Sequence, residues 1–119
     1  MGEKMNGSKI SFHDFTKIIS YDVVKNNSCI EIEFYIDNDS NYESCWLGKT
    51  IDKETNNECY WYGLVKDGSQ AYSFLTIDEF MNAKIFYGKN IREVWDFISL
   101  YCIDCCDVNE RLSHYLDIN

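Results

Sequence analysis

The chain has 119 residues, with 20 Asp and Glu against 11 Lys and Arg for a formal net charge of −9, six cysteines and no proline. A chain of this length makes one domain, residues 1–119, and buries about two-thirds of its unfolded surface, so it needs no staples. Its 45% hydrophobic and 16% aromatic content excludes a disordered acidic tail; no apolar run nears the roughly 18 residues of a membrane span, and the negative excess argues against direct contact with nucleic-acid phosphates.

Residues 1–9 are polar, carry two glycines and read as a frayed leader without an export signal. Ser11 caps a short helix in which Phe12, Phe15, Ile18 and Ile19 share one face. Asn26-Asn27-Ser28 marks a turn. From Cys29 to Ile36 the pattern alternates, with Ile30, Ile32, Phe34 and Ile36 on one side and Glu31, Glu33 and Tyr35 on the other. That is a half-buried strand with an acidic outer face. After a polar turn at 37–41, a second strand is expected from Tyr42 to Ile51.

A third strand, Glu58 to Lys66, sets Cys59, Trp61, Gly63 and Val65 against Tyr60, Tyr62 and Leu64. Both faces are apolar or aromatic, as in a strand covered on both sides or one with an exposed aromatic ladder. Asp67-Gly68 signals a hairpin that returns through Ser69 to Phe74. Thr76 with Glu79 opens a short helix. Lys84 to Tyr87 is a short extended piece. Asn90 with Glu93 opens a longer helix to about Cys102, with Ile91, Val94, Trp95 and Ile98 along its stripe. Asp107 with Glu110 starts the last helix, lined by Val108, Leu112, Tyr115 and Leu116. The order predicts an α+β fold. It is an antiparallel meander of about four strands, with an N-terminal helix and C-terminal helices packed on one face.

Most of the charge excess sits in two blocks. Residues 29–58 hold eight acids against two lysines, and residues 100–119 hold four acids against Arg111. A field concentrated in this way steers a basic partner, although a solvated face produces the same count. The aromatics Tyr35, Tyr42, Trp46, Tyr60, Trp61, Tyr62 and Tyr72 lie on the sheet segments, where half would be core and the rest interface anchors.

Sites for chemistry are sparse. Cys102-x-x-Cys105 is half of a zinc-ribbon pattern with no second half, and Cys106 and His114 would have to complete it. As a redox motif it would end a helix, where the dipole disfavours a thiolate. With no export signal, reduced thiols in a cytoplasmic setting are expected. His13 and His114 are the only histidines and read as surface residues, and no nucleophile or phosphate-loop motif occurs. Glu31 and Glu33 could serve acid–base work only beside a cleft. Residues 37–43 resemble a calcium loop but lack its Gly and its final Glu. The expectation is a protein that is not an enzyme and has no metal or cofactor.

The stretch Tyr60-Trp-Tyr-Gly-Leu-Val-Lys-Asp-Gly-Ser-Gln-Ala-Tyr72 is continued by Phe74-Leu-Thr-Ile-Asp-Glu-Phe80, Asn82-Ala83, Phe86 and Gly88-Lys89. Together with Trp95, Ile103-Asp104 and Glu110-Arg111-Leu112, it resembles small bacterial immunity proteins of polymorphic toxin and contact-dependent inhibition systems. The resemblance covers about the second half of the chain through aromatic and structural residues. It implies a cytosolic protein that binds and blocks a cognate toxin domain. Many such toxins are basic nucleases, to which an acidic inhibitor is steered. On this reading Glu31, Glu33, Asp37, Asp39 and Glu43 steer the partner and Tyr60 and Tyr62 anchor it. The alternatives are a small metal-binding or redox protein using Cys102, Cys105 and Cys106, or a non-catalytic adaptor.

Overall fold

The computed structural model describes residues 7–64 and 69–116. Helix α1 (Phe12–Ile19) starts at Ser11, whose side chain accepts the Asp14 N–H at 3.0 Å. It buries Phe15, Ile18 and Ile19, the face its spacing specified. Strands β1 (Ile30–Ile36), β2 (Cys45–Ile51), β3 (Glu58–Gly63) and β4 (Ala71–Phe74) follow, with a 3-10 turn at Ser40–Tyr42 before β2. Each pairs antiparallel with the next. Leu64 N–H donates to Gln70 at 3.0 Å, beside the ends of β3 and β4. The Asp67-Gly68 turn expected between them lies outside the described residues, as do Val65 and Lys66.

Helix α2 (Ile77–Asn82) begins at Thr76, which accepts the Glu79 N–H at 3.1 Å. Lys84 to Tyr87, expected as a short extended piece, runs instead into a tight turn at 86–89. Phe86 and Lys89 exchange backbone hydrogen bonds of 3.0 Å around Tyr87 and Gly88, both with positive φ. That is the type I′ geometry, which Gly88 suits. Helix α3 (Ile91–Val94) carries the full capping box between Asn90 and Glu93.

The helix expected to run on to about Cys102 stops at Val94. A 3-10 turn (Trp95–Phe97) leads into a fifth strand, β5 (Ile98–Ile103), and the sheet order is β4-β3-β2-β1-β5. Ile98, Leu100 and Ile103 suit a buried strand face as well as a helical stripe, and all three are buried. Pairing with β1 decides between the two, because a non-local ladder outweighs a weak local period. Helix α4 (Val108–Leu116) closes the described chain. The fold is α+β, with α1 and the later helices packed against one face of a five-stranded antiparallel sheet.

Two polar clusters hold the elements together. Lys49 points from β2 to the helix side of the sheet and is 1% exposed. Its ammonium has three donors, and they meet Ile19 O at 2.9 Å, Tyr21 O at 2.7 Å and Glu58 at 3.0 Å. The first two are carbonyls at and beyond the C-terminal end of α1, where a helix leaves acceptors unfilled and favours positive charge. Glu58, on β3, also accepts the Val23 N–H at 3.1 Å. One ion pair thus joins α1, β2, β3 and the segment after α1.

The second cluster centres on Asp104, in the turn between β5 and α4. Ile103 and Cys106 exchange backbone hydrogen bonds around Asp104 and Cys105, both at positive φ, in a second type I′ turn. The Asp104 carboxylate accepts from Glu31 N–H at 2.9 Å, Arg111 at 2.7 Å and Tyr115 hydroxyl at 2.6 Å. It ties β1 to α4.

Residues 7–9, expected within a frayed leader, are bound to the sheet. Ser8 and Leu100 exchange backbone hydrogen bonds of 2.8 Å, extending the sheet beyond β5. Gly7 N–H donates to the Tyr35 hydroxyl at 2.9 Å, and Lys9 pairs with Asp37. Residues 1–6 lie outside the described chain.

Replacing Lys49 with Met keeps the apolar stem but leaves two carbonyls and Glu58 unpaired. Urea unfolding of Lys49→Met is expected to show a loss of about 3 kcal/mol through a lower midpoint at unchanged slope. A loss under about 1 kcal/mol would mean that the cluster is dispensable. A pH dependence follows from Asp37. Burial alone would raise its carboxyl, but the bonds from Lys9 and Ser99 prevail and hold it below the ordinary 3.8. Its stabilising contribution is therefore complete above that value and lost as pH falls through the lower, folded one. Protection of the Ser8 amide, its exchange relative to the unstructured rate at the same pH, should fall over that acid range, and Asp37→Asn should show the low protection already at neutral pH. Equal Ser8 protection in the variant and the parent at pH 7 would break this link.

Candidate functional site

The sheet has two unlike faces. The helix side carries Ile30, Ile32 and Phe34 of β1, Leu47 and Lys49 of β2, and Tyr60 and Tyr62 of β3, all buried. The opposite side carries Glu31, Glu33 and Tyr35 of β1, Trp46 and Gly48 of β2, and Trp61 of β3. Apart from Gly48, these residues are exposed or half-buried.

Register fixes how they meet. Glu33 stands opposite Trp46 on one side and Cys102 on the other. Glu31 pairs with Gly48, which pairs with Trp61. A Cβ on Gly48 would fall 2.7 Å from the Trp61 ring and 2.0 Å from Ile30 O. The indole of Trp61 therefore lies across β2 in the space a side chain would fill, next to Glu31. On the β5 side the ladder slips between Glu33 and Phe34, leaving Tyr101 as an extra residue. Such a bulge re-aims side chains, and the Tyr101 ring sits 4.7 Å from Tyr35. Tyr35, Tyr101, Trp46 and Trp61 flank two carboxylates on one face.

Among the described residues, neither Glu31 nor Glu33 has a cation partner. Glu33 receives long contacts from Ser44 at 3.5 Å and the Cys102 thiol at 3.9 Å. The other expected steering acids, Asp37, Asp39 and Glu43, lie between β1 and β2. Asp37 is engaged by Lys9 and by Ser99 at 2.7 Å. Asp39 caps the 3-10 turn through Asn41 N–H at 2.9 Å and accepts the Tyr87 hydroxyl at 3.0 Å. Asp37 and Asp39 are thus bound in place by contacts that a calcium ion would have to displace. Glu43 is exposed, and its carbonyl lies 3.4 Å from the Tyr101 hydroxyl.

The expected anchors Tyr60 and Tyr62 require correction. They are 6% and 1% exposed, on the helix side of the sheet. Tyr62 stacks on Phe80 at 4.3 Å and donates its hydroxyl to Phe80 O at 2.9 Å. Burial, then the Glu58 carboxylate, pushes the Tyr60 hydroxyl up to about 12. Both are core residues. On the other face of the sheet Trp46 and Trp61 are half-buried, since alternation turns them away from the side of Leu47 and Tyr62.

The cysteines are all free, and Cys45 is buried, its thiol raised to about 12 by burial and then by Asp39. Cys102 lies in β5 rather than at a helix end. Burial, and then Glu33, raises the Cys102 thiol. Cys105 and Cys106 are exposed. Among the described residues no three His, Cys, Asp or Glu side chains come together as metal ligands. His13 and His114 are exposed, on α1 and α4.

An open groove of about 760 Å³ begins where Glu31 ends the acidic row, lined by Asn27, Ser28, Cys29, Lys53, Asp104 and Arg111 among others. Its lining mixes both signs of charge. No helix among the described residues is long and apolar enough to cross a membrane. Comparison with known proteins finds no matching family model, no similar curated protein and no similar solved structure.

Proposed function

We propose that the chain is an immunity-type inhibitor. It acts in the cytoplasm without catalysis and binds a basic toxin domain through the helix-free face of its sheet. The observation that carries this reading is the combination on that face of two carboxylates, which have no cation partner among the described residues, with half-buried Trp46, Trp61, Tyr35 and Tyr101. Interfaces draw their binding energy from aromatic anchors and their association rate from complementary charge. The net charge of −9 supplies a long-range field for a basic partner. The resemblance of residues 60–112 to small bacterial immunity proteins supplies the kind of partner.

The test is titration calorimetry against the toxin domain encoded beside this chain. A tight one-to-one complex is expected. Glu31→Lys with Glu33→Lys should slow association at low salt by about ten-fold or more and flatten its salt dependence, with a smaller effect on dissociation. No heat of binding to the neighbour would overturn the toxin assignment. An unchanged association rate in the charge-reversed variant would reduce Glu31 and Glu33 to a solvated face.

A further inference from the structure

The face has an internal order that points to a particular side chain of the partner, on the premise that it binds a basic protein. In an antiparallel pair, residues directly opposite have Cβ atoms about 5 Å apart. Glu33 and Trp46 form one such carboxylate–indole pair. In the neighbouring row, Glu31 and Trp61 are separated by Gly48, which has no side chain. Trp61 fills that gap, so its ring reaches within about one strand spacing of the Glu31 backbone. The same motif thus occurs twice in adjacent rows: a carboxylate beside a half-exposed indole.

We infer that Glu31 with Trp61 and Glu33 with Trp46 form receptor sites for arginine side chains of the partner, the guanidinium lying on the indole and pairing with the carboxylate. A cation is attracted to an indole face within about 6 Å of its centre. A carboxylate at the edge of that ring adds the opposite charge, and no cation among the described residues pairs with it. Arginine fits better than lysine. Its guanidinium is planar, stacks on an aromatic ring, is weakly hydrated and offers paired donors to one carboxylate. Lysine is a hydrated point charge that gains less from a flat aromatic surface. A phosphate or a carboxylate ligand would be repelled by Glu31 and Glu33. Lys53 shares the groove with Glu31 yet makes no ion pair with it, so among the described residues that carboxylate is left to an incoming cation.

Tryptophan resonances give a direct test. The chain has three tryptophans. Trp95 is buried and donates its indole N–H to Ile10 O at 2.8 Å, which makes it an internal control. The probes are two blocked peptides, Arg-Gly-Arg-Gly-Arg and Lys-Gly-Lys-Gly-Lys, titrated into the 15N-labelled chain. The arginine peptide is expected to shift the indole signals of Trp46 and Trp61 and leave Trp95 in place. The lysine peptide should bind at least about five-fold more weakly. Glu31→Gln with Glu33→Gln, on an exposed face, should fold normally and lose most of the arginine preference. Trp61→Leu should remove the site at Glu31 and leave the Trp46 indole still shifting with the arginine peptide, with its fold checked by the Trp95 signal. Equal affinity for the two peptides, or shifts that avoid Trp46 and Trp61, would overturn the proposal. No binding of either peptide at millimolar concentration would overturn it as well. An arginine-selective response here, with no complex formed by the neighbouring toxin domain, would sink the toxin assignment and leave this site standing. The converse result would sink only the arginine receptor.

Discussion

A buried ammonium organises this fold. Lys49 is the one lysine among the described residues that leaves water almost entirely, and burying a charge costs several kcal/mol unless every donor is matched. Its three partners come from the end of α1, from Tyr21 just beyond it and from Glu58 on β3. The match is possible only if α1 lies on the helix side of the sheet with its C-terminus over β2. The same constraint sets the register of β2 against β3, since Lys49 stands opposite Tyr60, and Glu58 sits near the end of the same ladder. Slipping the strands by one residue would turn Lys49 to the other face and leave the helix carbonyls unfilled.

The open face is a consequence of this arrangement. With α1 and α2 packed on the side of Lys49, Tyr60 and Tyr62, the alternate residues Glu31, Glu33, Trp46 and Trp61 are left without cover by any described helix. Asp104 finishes the layout at the other side. By holding Glu31 N–H, Arg111 and Tyr115 it keeps α4 beside the end of β1, away from the aromatic row. The bulge at Tyr101 then adds an aromatic pair to the margin. The face is therefore made rigid from behind by a charged cluster and from the side by a second one. That rigidity suits a surface whose partner must meet two indoles and two carboxylates at fixed spacing.

Much of the architecture was legible in the residues. The strict alternation of 30–36 assigned the faces of β1, and the capping residues Ser11, Thr76 and Asn90 marked helix starts. The fifth strand was not legible, because Ile91, Val94, Trp95 and Ile98 obey a helical period while Ile98, Leu100 and Ile103 also suit a buried strand. Only the ladder with β1, more than sixty residues away, decides between them. The Lys49–Glu58 pair was hidden for a similar reason. Its signal was a lysine at an inward position between Leu47 and Ile51, and its partner cannot be named without the register. Glu31 and Glu33 stood out as an outer acidic pair, but Tyr60 and Tyr62 were misplaced as anchors. Choosing between them and Trp61 required knowing which face of β3 the helices cover.

The central claim is that a partner sits on the helix-free face. Side-chain oxidative footprinting of the chain, free and with its neighbouring toxin domain, tests it residue by residue. Leu75, Tyr87 and Phe97 are the exposed large apolar side chains among the described residues, at 72%, 63% and 58%; all three lie outside the strands and serve as references. Trp46, Trp61, Tyr35 and Tyr101 are expected to become protected in the complex while Leu75, Tyr87 and Phe97 keep their reactivity. Protection of those three, with Trp46 and Trp61 as reactive as in the free chain, would contradict it.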